Sequence, residues 1–283
     1  MRIALPSHPY LEALTAPVAD ACNSSGWTVH VVPEADVASM LQRKLVDLAL
    51  ITPLAYGRAL GTSDLRIVPV SCVVMHDFTH VVGMAIRDGA EEITTMGSHS
   101  PEDFLPVLGG LLMQEKYGAE PSYLIDLSSS DKSVDCVIDV ISDTAEAFHL
   151  DLSEEWFDAA EMPVVTAIWA CHADADDASI SQAVSVLSTT IPGTIEVHED
   201  YTLMLDGEED VIERDGRITW TWNSEVEEAL ESMLTFLYFH QRLTAMPALK
   251  ILGRPHTEEI PENLLGGWGE GFADADEDDE DIE

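Results

Sequence analysis

Basic residues are scarce in this chain. Thirteen Lys and Arg stand against 53 Asp and Glu, a formal net charge of −40 over 283 residues, and lysine occurs only at Lys44, Lys116, Lys132 and Lys250. Such a surface repels nucleic-acid phosphates and anionic lipid, which argues against either as a partner. Two explanations fit the excess: a salt-rich cytoplasm in which hydrated carboxylates keep the protein soluble, or an acidic face for a basic partner. The acids are spread along the whole length, which favours the salt explanation. Cysteine is also sparse. Cys22, Cys72, Cys136 and Cys171 form no CxxC pair and no dense framework, as expected of four reduced, buried thiols rather than disulfides or a zinc site. No apolar run reaches the roughly 18 residues that span a bilayer, and the opening MRIALPSHPY lacks the apolar core of a secretory signal. The expectation is a soluble cytoplasmic protein without a membrane partner. A Walker loop, a GxGxxG turn and a GxSxG elbow are all missing, so no sequence pattern announces a nucleotide cofactor or a covalent mechanism. Repeats of 20 to 50 residues are absent too, which excludes a solenoid, and nothing in the sequence signals an oligomeric state.

What is present is a globular chain, 46% hydrophobic, long enough for one large α/β domain or two lobes. Its organising stretch is Asp151 to His172, DLSEEWFDAAEMPVVTAIWACH. A capped helical signal at Ser153 to Trp156 passes through Met162-Pro163 into an apolar run, Val164 to Ala170, that suits a buried strand. A helix handing the chain to a long strand marks a crossover between lobes with a ligand cleft nearby. The chain opens as strand, helix, strand, helix, strand: Arg2 to Leu5, a Pro6-Ser7-His8-Pro9 turn in which Ser7 is placed to cap the following helix, Thr28 to Val32, and Asp47 to Ile51. This is the start of a parallel α/β sheet. Leu65 to Met75 reads as one long strand, and Val81 to Ile86 as the next. Further on, Leu203 to Leu205 and Arg217 to Trp222 read as minor strands and Ser224 to Thr244 as a strong amphipathic helix. The last ten residues hold eight carboxylates and are expected to lack fixed structure.

Three strand-to-helix corners, at Thr52-Pro53, Gly97 to Ser100 and Ser142-Asp143, offer N–H donors and hydroxyls at strand ends, the place where α/β proteins hold small ligands. Each also reads simply as an ordinary helix cap. His76 and His80 lie four apart in HDFTH, but their strand-like flanks and the missing glutamate of HExxH speak against a metal, leaving two exposed loop histidines. No metal site and no cofactor are expected. Trp220 and Trp222 read as packing.

Several segments, in order, resemble the chorismate dehydratase family of futalosine-route menaquinone biosynthesis. PSHPYLEALTAPV is similar to its YLN-x-x-PL opening, VDLALITPLAY to its DIALIP-x-x-EY strand, MGSHSPEDF with LLMQEKYG to its serine-rich turn and helix, VDCVIDVISDTA to its LLIGDAAL strand, and the crossover to its DLG-x-x-W and TGLPFVFAVWA segments. The resemblance covers roughly residues 1 to 172. It implies an α/β, two-lobed, periplasmic-binding-protein type II-like fold, with residues 1–78 and 172–265 in the first lobe, 79–171 in the second, and an acidic disordered tail over 266–283. It further implies a cofactor-free lyase that removes water from chorismate to give 3-enolpyruvyl-oxybenzoate, with a carboxylated metabolite as its ligand. Carried over by position, Ser7, Tyr10, Thr52, Thr79, Ser98, Ser100 and Asp143 are expected to bind substrate. Glu12, standing where the family has asparagine, is expected near the reacting ring as acid or base if burial raises its pKa. Other departures are Val82 in place of a serine, Pro101-Glu102 within the serine-rich turn and Ser142 in place of a glycine. The alternative is a non-catalytic cytosolic binder of a small carboxylated metabolite on the same fold, distinguished by saturable stabilisation without turnover.

Overall fold

The computed structural model describes residues 1–119, 123–129, 133–141, 150–190, 192–205 and 208–254. The acidic tail and the corner at Ser142-Asp143 lie outside them. The first half of the chain folds as its alternating pattern directs. Strands β1 (Arg2–Pro6), β2 (Thr28–Val32) and β3 (Leu48–Ile51) are parallel, with β1 between the other two. Helix α1 (Glu12–Ser24) turns Leu14, Val18 and Cys22 inward at intervals of four, and α2 (Glu34–Gln42) does the same with Val37 and Leu41. After α3 (Pro53–Ala59) the expected strand from Leu65 to Met75 is two strands, β4 (Leu65–Ile67) and β5 (Cys72–Asp77). Pro69 falls between them, where the absent N–H cannot continue a ladder.

The chain then enters a second sheet. Strands β6 (Val82–Ile86), β7 (Met96–Ser98), β8 (Ile125–Asp126), β9 (Cys136–Val140) and β10 (Leu150–Asp151) are arranged in the order β10-β6-β9-β7-β8. Helix α4 (Phe104–Tyr117) packs on this sheet, buried along its first ten residues, and ends at Gly118 in the left-handed conformation. Helix α5 (Leu152–Ala160) follows β10 and leads into β11 (Val164–His172), a strand buried over its first eight residues. The helix-then-strand reading of this stretch agrees with the structure. Its lobe does not: β11, expected in the second lobe, pairs antiparallel with β3, β4 and β5 of the first sheet.

Helix α6 (Asp177–Thr189) precedes a long hairpin of β12 (Ile195–Leu205) and β13 (Glu208–Thr221), where only minor strands were expected. Residues Gly216 to Thr221 of β13 pair with β5, completing a larger sheet in the order β12-β13-β5-β11-β3-β1-β2 with β4 beside β11. Helix α7 (Ser224–Phe239), capped by the Asn223 side chain, covers it. Trp156 of α5 meets Phe236 of α7 edge to face at 5.3 Å, and Trp169 of β11 meets Trp220 of β13 at 6.4 Å, so aromatic packing ties the crossover into the core. All four cysteines are buried and free. No helix among the described residues is long and apolar enough to cross a membrane.

The two passages between sheets are bound to one another by a buried carboxylate. Asp151 Oδ1 accepts from the amides of Ser153 (3.0 Å), Glu154 (3.1 Å) and Thr79 (3.4 Å) and from the Ser153 hydroxyl, while Oδ2 accepts from the amide of His80 at 2.9 Å. One side chain thus caps α5 and holds the outgoing strand connection as well.

Candidate functional site

Between the sheets lies a cleft of about 390 Å³. The first lobe contributes His8, from the turn after β1, and Glu34, the first residue of α2. The second contributes Gly83 and Ala85 of β6, His99 and Ser100 after β7, Asp103 and Leu105 at the start of α4, and Val137 and Asp139 of β9. Among the described residues its charged lining is three carboxylates and two histidines, with no Lys or Arg.

Glu34 reaches across the cleft. Its Oε1 accepts from the Phe104 amide at the start of α4 (3.0 Å) and from the Thr52 hydroxyl (3.4 Å). Asp103 stands at the N-cap of α4, where an Asp side chain ordinarily accepts from its own helix, yet it makes no such bond. Its carboxylate faces His8 Nε2 at 3.8 Å instead, and Glu34 of the other lobe caps the helix in its place. Burial, followed by repulsion from Asp103, pushes the Glu34 carboxyl up to about 7 against the opposing pull of the Phe104 amide, His8 and Thr52. His8 Nδ1 is buried and finds no hydrogen-bond partner among the described residues. One ligand atom each from His8, Glu34 and Asp103 lie within 4.8 Å of one another, so these three residues are placed to hold a cation.

On the opposite wall, Asp139 Oδ1 accepts from the Ser98 hydroxyl and the His99 amide, both at 2.9 Å, and Oδ2 pairs with His99 Nδ1 at 2.6 Å. The β7 turn is therefore folded around a carboxylate of β9, with the His99 ring and Ser100 left exposed toward the cleft.

The residues expected from sequence are only partly brought together. Ser100 lines the cleft. Ser98 is fully buried one step behind it, its hydroxyl donating to Asp139 and accepting from the Ser100 amide. Tyr10 is half-buried, with its ring 5.0 Å from His8, while burial first and Glu34 second raise its pKa. At the Thr52 corner the Thr52 hydroxyl accepts from Ala55 N and donates to Glu34. Thr79 is buried in the crossing, 2.7 Å from Ser153 Oγ, and turned away from the cleft lining. Ser7 is exposed and caps nothing: its amide donates to Val32 O, and the short turn of 3₁₀ helix that follows begins from His8. Glu12 is exposed on α1 and outside the cleft lining, so the burial on which its expected acid-base role depended is not met. Asp143 lies outside the described residues. His76 is no loop residue but sits in β5, bonded to Thr219 Oγ1 at 3.0 Å, whereas His80 is exposed beside Glu199 at 3.5 Å.

The half-buried carboxylate that spans the cleft is Glu34, which the sequence shows only as the polar first residue of a helix. Three lining residues, His8, Glu34 and Asp103, are separated by whole elements, and no local spacing links them.

No family model matches this chain, and no curated protein matches it in sequence. Among solved structures it is similar to the periplasmic aliphatic sulphonate binding protein SsuA from Escherichia coli, with 12% identity over 93% of this chain and 97% of that one and a TM-score of 0.50. It is similar also to an ABC transporter from Parabacteroides distasonis, with 10% identity over 91% and 99% of the two chains and a TM-score of 0.51. Protein AF1704 from Archaeoglobus fulgidus matches at 13% identity over 66% and 73%, with a TM-score of 0.49. At these identities the likeness concerns the fold alone, and that fold is the two-lobed α/β periplasmic-binding-protein type II-like architecture.

Proposed function

We propose that this chain binds a small metabolite in the cleft between its two sheets. The observation that carries the reading is convergence: His8 and Glu34 from one lobe and His99, Ser100, Asp103 and Asp139 from the other border one hollow of about 390 Å³, the size of a small-molecule pocket. SsuA, of similar fold, binds aliphatic sulphonates by its name, which supports a small ligand here without fixing its chemistry. The lining points to a ligand that brings hydrogen-bond donors or positive charge toward Glu34 and Asp103, because an unaccompanied dicarboxylate meets three acidic side chains and no Lys or Arg among the described lining residues. A cytoplasmic location is part of this proposal, and the four buried thiols are consistent with a reducing compartment. Thermal unfolding of the full chain in concentrated KCl, across a panel of amines, amino acids, polyols and carboxylates, tests the reading. Donor-bearing compounds raise the Tm if it holds; a panel with no saturable shift removes it.

Dehydration of chorismate is the second reading. The order of the matching segments along residues 1 to 172 favours it, as does the presence of a half-buried carboxyl, Glu34, inside the cleft in the acid-base role expected of Glu12. Chorismate consumption by the purified protein, lost in Glu34→Gln and kept in Glu12→Gln, selects this reading. Unchanged chorismate with the wild-type chain ends it.

A further inference from the structure

We propose that His8, Glu34 and Asp103 form a divalent-cation site that joins the two lobes at the mouth of the cleft. Three independent features of the structure converge on it. The ligand atoms of the three side chains lie within 4.8 Å of one another, and His8 Nε2 is 3.8 Å from Asp103 Oδ2. Around an ion with bonds of about 2.1 Å, tetrahedral ligand atoms stand roughly 3.4 Å apart, so the cluster closes on a metal with sub-ångström movement of the side chains. Asp103 forgoes the capping bond normally made from its position, leaving Glu34 to accept from the start of the helix, and directs its carboxylate at His8. Glu34 and Asp103 face each other across the lobes with no Lys or Arg among the described lining residues to neutralise them.

The donor set is one imidazole and two carboxylates. It suits Zn²⁺ or Mn²⁺ better than a soft thiophilic ion or the all-oxygen cage of Ca²⁺. Three protein ligands leave one or more coordination positions facing the hollow, open to water or to a ligand oxygen. A bound divalent ion offsets the charge of the two carboxylates that hold it, and a metabolite carboxylate, otherwise opposed by Glu34, Asp103 and Asp139, then has a direct partner at the open coordination position of the ion. The ion is also a bond between lobes: His8 and Glu34 belong to the first, Asp103 to the second. The site stands on its own geometry and holds whichever metabolite the cleft accepts.

The test uses the full chain, stripped with chelator and titrated with Zn²⁺ and with Mn²⁺ by calorimetry in 2 M KCl, which suppresses diffuse binding to the acidic surface. The expected result is one saturable equivalent, confirmed by elemental analysis after gel filtration. Affinity falls by at least about 10-fold in His8→Ala and in Asp103→Asn and is unchanged in Asp176→Asn, which alters an exposed carboxylate on α6. Circular dichroism of the metal-free variants establishes that they are folded. Absorption of the Co²⁺-loaded wild type supplies a readout that needs no variant, with visible bands of low-symmetry nitrogen and oxygen ligation expected. Absence of a saturable equivalent overturns the site, as does binding that His8→Ala and Asp103→Asn leave intact or a Co²⁺ spectrum identical to the hexa-aqua ion.

Discussion

Replacing Asp151 by Ala removes the acceptor that holds both passages between the lobes. Asp151 is 1% exposed and accepts from the amides of Thr79 and His80 on the outgoing passage and of Ser153 and Glu154 on the returning one. Loss of the α5 cap costs about 1 kcal/mol. Stranding the Thr79 and His80 amides adds about 1–2 kcal/mol each. The sum is about 4 kcal/mol, or a fall in Tm of about 8–16 °C for a chain of this size. Offsetting part of it, burial raises the Asp151 carboxyl above its ordinary pKa despite the hydrogen bonds, so removing the charge recovers some desolvation. Asp176 provides the contrast. It too is an N-cap, accepting from Ser179 N at 2.9 Å and the Ser179 hydroxyl at 2.7 Å, but it is exposed and joins nothing beyond its own helix. Urea unfolding at fixed KCl, followed by tryptophan fluorescence, measures both. Asp151→Ala is expected to lose three to four times as much stability as Asp176→Ala, which loses about 1 kcal/mol. Equal losses would refute the idea that Asp151 unites the two crossings.

Gly216 sits opposite Asp77 at the edge of the same crossing, and a Cβ there would come within 1.8 Å of Phe78 O; Gly216→Ala is expected to destabilise by about 3 kcal/mol, measured in the same unfolding assay. Asp135 accepts from the side chains and amides of Thr94 and Thr95 and from Arg87, and the threonine hydrogen bonds, led by the two hydroxyls, hold its carboxyl at about 2. A depressed carboxyl stabilises the fold fully above its unfolded value of about 4 and loses that contribution as pH falls through about 2. Wild-type stability should therefore drop more steeply than that of Asp135→Asn between pH 4 and pH 2, and parallel curves would exclude the role.

Where apolar periodicity speaks, the sequence was sufficient. Leu14, Val18 and Cys22 mark one face of α1, and the apolar run from Val164 marks a buried strand. The same run does not say which neighbours it pairs with, because a strand buried on both faces carries no alternation to orient it, and the pairing of β11 with β3, β4 and β5 is set by topology. The hairpin of β12 and β13 was read as minor strands for a different reason. Acidic residues at Glu196, Asp200, Glu209, Asp210 and Glu213 break up the β-branched pattern that ordinarily reveals a strand. For the site, local chemistry located the β7 turn with Ser98 and Ser100 but missed its partner Asp139, which sits among apolar residues on β9. The His8, Glu34 and Asp103 group is a product of topology alone. It forms where the turn after β1, the start of α2 and the start of α4 meet, and each residue by itself reads as a loop or cap residue.

The most direct measurement compares ligand-induced stabilisation in the wild type and in Ala85→Trp, a substitution on β6 that fills the hollow from the wall opposite His8 and Glu34. Metabolites that raise the Tm of the wild-type chain are expected to lose that effect in Ala85→Trp while the unliganded variant still unfolds cooperatively. Stabilisation that persists undiminished in Ala85→Trp would place the ligand elsewhere and contradict a binding site between the sheets.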